Sequence, residues 1–152
     1  MSTDRTLLDY DAIHAYLAKS YWSPGIARSR VVRGIEHSMC FGVYDTQTLR
    51  EGGWSGAVGL PAQVGFARVV TDQASFAYLC DVFVLEEHRG RGLSKWMMAA
   101  VLIQPELRGI RRFSLMTKDA HRLYAQYGFV PMSDPSRYLE KLDRESYRQE
   151  VE

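Results

Sequence analysis

The chain is poor in the residues that mark several common functional classes. Cysteine occurs only twice in 152 residues, at Cys40 and Cys80, each within an apolar stretch. Two such thiols argue against a disulfide-built scaffold and fit buried, reduced side chains in a cytoplasmic protein, with a Cys40–Cys80 bridge as the other reading. The four histidines, His14, His37, His88 and His121, have no metal-ligand spacing with Cys or acidic partners, so no metal site is expected. No apolar run approaches the roughly 20 residues of a membrane helix, and the polar N-terminus lacks a signal-peptide core, so no membrane partner is expected either. Charge of one sign is also missing. Nineteen Lys and Arg face eighteen Asp and Glu for a net +1, which gives no case for non-specific nucleic-acid binding. The local run Arg108, Arg111, Arg112 reads as a solvated turn.

What is present is ordinary for a globular protein: 46% apolar and 24% charged residues, enough for one domain spanning 1–152 with its own core. The pattern predicts a helix over 11–20 capped by Asp9 or Asp11, with Ile13, Tyr16 and Leu17 on one face. Ser23-Pro24 reads as a cap with proline at the first helical position, opening a helix to about Glu36. Strands are expected over 39–44, 62–70, 75–85 and 111–117, with Thr71–Ala74 as a hairpin turn. Thr6–Tyr10 reads as a first edge strand, and 129–132 with 137–141 as a closing pair. The Gly-rich stretch 45–61, which contains Trp54, reads as an exposed loop or extended hairpin, either folding over the site or without function. Together these give an α/β order with a mixed sheet.

The densest signal lies where the strand ending in Phe83-Val84-Leu85 runs into Glu86-Glu87-His88-Arg89-Gly90-Arg91-Gly92-Leu93-Ser94-Lys95-Trp96. A strand, a basic Gly-rich turn and a helix N-terminus hold anions, because the first N–H groups of a helix lack intrahelical partners and carry the positive end of its dipole. Gly90 and Gly92 let the backbone approach a ligand, and Arg89 and Arg91 add charge, which points to a phosphorylated cofactor. The pattern is neither a G-x-x-x-x-G-K-[ST] phosphate loop nor a G-x-G-x-x-G dinucleotide fingerprint. Downstream, Ala120-His121-Arg122-Leu123-Tyr124-Ala125-Gln126-Tyr127-Gly128-Phe129 reads as a short helix ended by a left-handed glycine.

The run R-x-x-G-x-S over Arg89–Ser94 resembles the acyl-CoA-binding motif Q/R-x-x-G-x-G/A of the GNAT superfamily of N-acetyltransferases, with Ser94 replacing the last Gly or Ala. The second segment resembles that superfamily's A-x-x-L-Y-x-x-x-G-F, in the same order, so the resemblance covers the second half of the chain most strongly. It implies a GNAT fold, a mixed sheet of six to seven strands flanked by about four helices. It also implies acetyl-CoA as cosubstrate and transfer of acetyl to a primary amine of a small molecule or peptide by direct attack in a ternary complex. Arg89, Gly90, Arg91, Gly92, Leu93, Ser94 and Lys95 would hold the pyrophosphate. Phe83 and Val84 would offer free backbone groups to the pantetheine arm, with the Val84 N–H placed for the thioester oxygen.

Tyr124 becomes the candidate acid towards the departing sulfur, or else a residue that only bonds the sulfur or packs in the core. Asp81, a carboxylate inside an apolar strand, is the candidate base; the other reading is an arginine-paired or backbone-capping carboxylate. Strict alternation puts Asp81 on the face of Leu79, Phe83 and Leu85. Tyr21 and Trp22 are candidates for substrate contact, or are core or staple residues. Glu86 and Glu87 read as surface residues, and nothing supports Cys40 or Cys80 as nucleophiles. A homodimer pairing through Arg137-Tyr138-Leu139 is a further expectation. Two rival functions remain: a non-catalytic CoA-binding regulatory module, and a nucleic-acid or partner-binding domain using Arg89 and Arg91.

Overall fold

The computed structural model describes residues 1–50 and 59–151. At its centre lies a four-stranded sheet in the order β1 (Met39–Leu49), β2 (Pro61–Thr71), β3 (Phe76–Val84) and β4 (Arg112–Leu115). The first three strands form an antiparallel meander, and β4 joins β3 in parallel. The β2–β3 hairpin is closed by Asp72, whose carboxylate accepts from the N–H groups of Ala74, Ser75 and Phe76 and from the Ser75 hydroxyl. Those donors hold its carboxyl far below the usual carboxylate range.

Helices α1 (Tyr10–Leu17) and α2 (Arg28–Glu36) cover one face of the sheet, and α3 (Leu93–Leu102) and α4 (His121–Ala125) pack on the other. Asp9 caps α1 by accepting from Ala12 N–H. Ala27, at the start of α2, has no side chain able to do this. The chain's last residues take over that role. Ala27 N–H donates to Tyr147 O at 2.7 Å, Ser29 N–H to Glu150 Oε2 at 3.3 Å, and Val151 N–H to Ser29 Oγ at 2.9 Å.

Among the described residues the sheet has four strands, fewer than the expected six to seven. Residues 5–7 form a 3-10 turn because Asp4 accepts from Thr6 N–H and Thr6 hydroxyl, and only Ser2 bridges to β1, at Gly42. Residues 129–132 and 137–141 are not strands. Pro131 and Pro135 remove ladder donors, Asp134 turns the chain at Pro135–Arg137, and positions 131–142 are exposed throughout, leaving no face to bury. Arg137-Tyr138-Leu139 leaves a 3-10 turn rather than forming a strand. The expected helix start at Ser23-Pro24 is also corrected. Ser23 is buried against the Ser20 hydroxyl, Gly25 has φ +71°, and α2 begins only at Arg28. Of the two readings of 45–61, the described residues follow the extended hairpin, since β1 pairs with β2 out to Leu49↔Pro61. Trp54 lies outside the described residues. Among the described residues no helix is long and apolar enough to cross a membrane.

One irregularity organises both faces. Phe66 pairs with Phe83 but Arg68 pairs with Cys80, so two steps on β2 oppose three on β3. The extra residue is accommodated at Asp81, which takes φ +54°. This bulge reverses the alternation. Ala77, Leu79 and Val84 enter the α3-side cluster with Met97, Met98 and Val101, whereas Phe83 joins Ile13, Leu17, Val31 and Ile35 beneath α1 and α2. The expected common face for Asp81, Leu79 and Phe83 is therefore corrected: Leu79 lies opposite Phe83.

The bulge is tied down by charge. Arg68 Nε donates to Asp81 Oδ2 at 2.8 Å and its Nη1 to Ser38 Oγ at 3.0 Å, while Trp22 Nε1 donates to Asp81 Oδ1 at 3.2 Å. The Arg68 and Asp81 side chains are only 21% and 12% exposed, so neither charge is well solvated. Removing one partner from such a pair strands the other, a loss of about 3 kcal/mol or more. Asp81→Asn is expected to lower unfolding stability by about that amount, and Arg68→Met added to it to restore a large part. Urea titration of the single and double variants checks this; a double variant no more stable than the single one would contradict it.

Alkaline conditions should weaken the fold. Burial pushes the Cys40 thiol up to about 11 and Cys80, Tyr44, Tyr78 and Tyr124 up to about 12. Each group is held neutral in the fold, so its contribution is complete below the unfolded-state value and is lost as pH climbs to the folded one. The urea midpoint is expected to stay level from about pH 7 to 8.5 and to fall continuously above about pH 9. A midpoint unchanged at pH 11 would show that these groups are not buried as described.

Candidate active site

Beyond Val84 the chain makes a 3-10 turn at Glu86–His88, passes Gly90 and Gly92 at φ +75° and +77°, and enters α3. Glu86 and Glu87 are exposed there. A left-handed residue is needed at Gly92 to turn the strand into the helix, and a non-Gly side chain would be strained in that conformation. Gly92 contributes no side-chain cap, and the first helical bond is Trp96 N–H to Gly92 O. The N–H groups of Leu93, Ser94 and Lys95 are therefore left without helical acceptors. A Cβ built at Gly90 or Gly92 meets nothing within 4 Å, so the space beside each glycine is open. An open pocket of about 350 Å³ lies there, lined by Val84, His88, Arg89, Gly90, Gly92, Leu93, Ser94, Lys95 and Leu123. Open N–H groups at a helix start, facing a roomy pocket, fit a diphosphate.

The strand edge beside this pocket is open as well. Leu85 N–H donates to Val64 O while Val84 pairs with Gly65. In an antiparallel ladder that pattern turns the N–H and C=O of Val84 away from β2, towards the β4 side. β4 does not reach them, because its pairing with β3 ends at Leu79↔Leu115. The two strands thus part after Leu79 and leave a gap beside residues 80–84. Phe83 N–H belongs to the other set and faces β2.

The two arginines divide their work. Arg89 turns inward, with Nε on Val84 O at 3.1 Å and Nη2 on the Tyr16 hydroxyl at 3.2 Å, bracing the strand end against α1. Arg91 Nη1 donates to His88 Nδ1 at 3.1 Å, which leaves the imidazole proton on Nε2. Lys95 reaches α4 through its carbonyl, which accepts from the half-buried Tyr127 hydroxyl at 2.8 Å.

Tyr124 follows Leu123 of the pocket wall and is 8% exposed, with its ring edge-on to Phe129 at 6.0 Å. Its phenol, raised to about 12 mainly by burial, stays protonated throughout the neutral range. Asp81 has both carboxylate oxygens engaged by Arg68 and Trp22, the paired arrangement that sequence reasoning set beside the base. Tyr21 and Trp22 sit edge-to-face at 5.0 Å in the α1–α2 connection, and Lys118 N–H, in the loop after β4, donates to the Tyr21 hydroxyl at 3.1 Å. The fold therefore gathers Val84, Arg89, Gly90, residues 92–95 and Leu123 in one pocket. It places Asp81, Tyr21 and Trp22 on the opposite, α1–α2 side of the sheet.

Sequence reasoning missed Arg68, Tyr16, His88 and Leu123. Arg68 had a readable signal, a lone cation in an apolar strand. Tyr16 had none beyond its place on the apolar face of α1. Cys40 and Cys80 are both free. Among the described residues no group of three or more His, Cys, Asp or Glu could hold a metal ion.

Comparison with known proteins agrees with this geometry. Residues 56–131 match the model of the acetyltransferase (GNAT) domain. The chain is 33% identical over 135 residues to FG08082 of Gibberella zeae, provisionally named an acetyltransferase, covering 83% of this chain and 75% of that protein. It is 46% identical to a Xanthomonas campestris pv. campestris protein whose crystal structure is provisionally assigned to the GNAT family. That match has a TM-score of 0.83 and covers 97% of this chain and 95% of the other. A Deinococcus radiodurans structure, 17% identical with a TM-score of 0.62 and 99% coverage of both chains, shares the fold. The chain belongs to the GNAT superfamily and is an N-acetyltransferase.

Proposed function

We propose that this acetyltransferase uses acetyl-CoA and moves the acetyl group to a primary amine of a small molecule or peptide, by direct attack within a ternary complex. The observation that carries this reading is the open edge of Val84 meeting the uncapped start of α3 in one pocket. The N–H groups of residues 93–95 would bind the pyrophosphate, with Arg91 and Lys95 adding charge. The Val84 N–H would donate to the thioester oxygen as negative charge builds there, a fixed dipole needing no reorganisation. Arg89 acts as the brace that keeps this edge in place. Two free thiols suit a reducing, cytoplasmic setting.

The amine must arrive neutral. Its nitrogen bonds to the carbonyl carbon, the carbon–sulfur bond breaks, and one nitrogen proton has to reach sulfur. Tyr124 is the proton donor to sulfur. With its phenol near 12 and an ordinary thiol near 8.5, outright transfer would be uphill by about 5 kcal/mol. Tyr124 therefore serves as a hydrogen-bond donor that gives up its proton only as the amine's proton is supplied. Asp81, already engaged twice, is assigned the holding of Trp22 and Arg68 in place of proton abstraction.

Calorimetric titration with acetyl-CoA tests the cosubstrate. Micromolar binding by the native chain, lost in Arg89→Ala/Gly92→Glu, is the expected result; absence of native binding would remove acetyl-CoA as cosubstrate. Tyr124→Phe is expected to lower turnover by about 10²-fold or more while leaving acetyl-CoA affinity unchanged. Full activity in that variant would take the acid role from Tyr124. A native chain that binds acetyl-CoA but transfers to no amine would favour the regulatory-module alternative.

A further inference from the structure

Past Leu79 the β3 strand has lost its β4 neighbour, so β4 holds no part of the peptide that joins Phe83 to Val84. That peptide carries the Val84 N–H. Tyr16 grips it at both ends. The Tyr16 ring stacks on the Phe83 ring with centroids 3.9 Å apart and an interplanar angle of 10°. The Tyr16 hydroxyl accepts from Arg89 Nη2 at 3.2 Å, and Arg89 Nε donates to Val84 O at 3.1 Å. One side chain thus fixes the residue before the peptide by direct contact and the residue after it through a single intermediary.

The grip has a firm root. Tyr16 is carried by α1, whose Ile13 and Leu17 are fully buried in the same cluster as Phe83 and whose first turn is capped by Asp9. A ring stacked on its face and bonded at its tip has little rotamer freedom left to lose. The next handle along the strand is Asp81, held by Arg68 and Trp22. Residues 81, 83 and 84 are therefore each tied by side chains where the strand neighbour is missing. Tyr16 does not line the cofactor pocket, but Arg89 does, so the relay from Tyr16 to Val84 runs along the pocket wall. A donor aimed at developing charge works by being fixed in advance, and its value falls steeply when its support lets it drift.

Resting on the transferase reading above, we infer that Tyr16 is a positioning residue for acetyl transfer. Acting through Arg89, its hydroxyl sets the direction of the Val84 N–H towards the thioester oxygen, and so governs turnover without governing acetyl-CoA affinity.

Tyr16→Phe deletes the hydroxyl and keeps the stack, whereas Tyr16→Leu deletes both. Thiol release from acetyl-CoA is followed with hydroxylamine, a small nucleophile that is neutral at pH 7 and needs no acceptor site, after subtraction of the uncatalysed rate. Tyr16→Phe is expected to lower kcat about fivefold, the scale of one hydrogen bond, and Tyr16→Leu to lower it further. The Kd for acetyl-CoA is expected to stay within about twofold of native in the Phe variant, with the urea midpoint confirming that it is folded. The Val84 amide supplies a signature that a merely structural role would not move. Its proton resonance in isotope-labelled native protein is expected to shift with acetyl-CoA and not with CoA, and Tyr16→Phe to lose most of that difference. Turnover or the Val84 signature unchanged in Tyr16→Phe overturns the inference, as does a rate loss accompanied by an equal loss of affinity. A native chain with no Val84 shift specific to acetyl-CoA removes Val84 from the thioester and the role of Tyr16 with it. A native chain that binds acetyl-CoA yet does not speed thiol release overturns the transferase reading itself.

Discussion

The Arg68–Asp81 pair is the interaction on which the rest of the structure depends. It sits where β3 takes one extra residue, and that residue decides which side chains of the strand face α3 and which face α1 and α2. Two charges with so little solvent are favourable only when their remaining hydrogen-bonding capacity is also used. Here Arg68 reaches Ser38 at the end of α2, and Asp81 takes the indole N–H of Trp22 from the α1–α2 connection. One ion pair thereby joins the bulge, a helix end and the α1–α2 connection.

The position of the bulge has a functional consequence. Upstream of it β3 is a central strand with neighbours on both sides. Downstream, β4 has ended and β3 continues alone on that side to Val84. An unpaired backbone donor inside a protein normally counts against a fold, but beside a pocket the Val84 N–H is a fixed donor, its C=O being taken by Arg89. The turn at Gly92 then adds three N–H groups to the same pocket without any side-chain cap competing for them. Arg89 lines the same pocket and also holds this corner together by joining Val84 O to Tyr16.

Much of the site was readable because it depends on local chemistry. The strand–turn–helix from Phe76 to Leu102, the Asp9 cap, the Thr71–Ala74 turn and the α4–Gly128 stop all follow from residues close in sequence. The errors arose where partners are distant. Ser23-Pro24 looks like a helix start, but Ser20 captures the Ser23 site, and α2 opens at an alanine capped from the far end of the chain. Apolar side chains near the C-terminus suggested extra strands, yet with two prolines among them and their side chains exposed they stay unpaired.

The sequence by itself determined the Gly-rich turn at the start of α3, the apolar strand feeding it and the short helix that carries Tyr124, because glycine conformations, helix-start donors and hydrophobic periods are properties of short segments. Only the tertiary structure decided the face of Asp81, the partners of Arg68 and Arg89, and the stacking of Tyr16 on Phe83. These depend on groups that meet across the fold, Arg68 with Ser38 and Arg89 with Tyr16, and on the bulge at Asp81, whose carboxylate Arg68 holds from thirteen positions away.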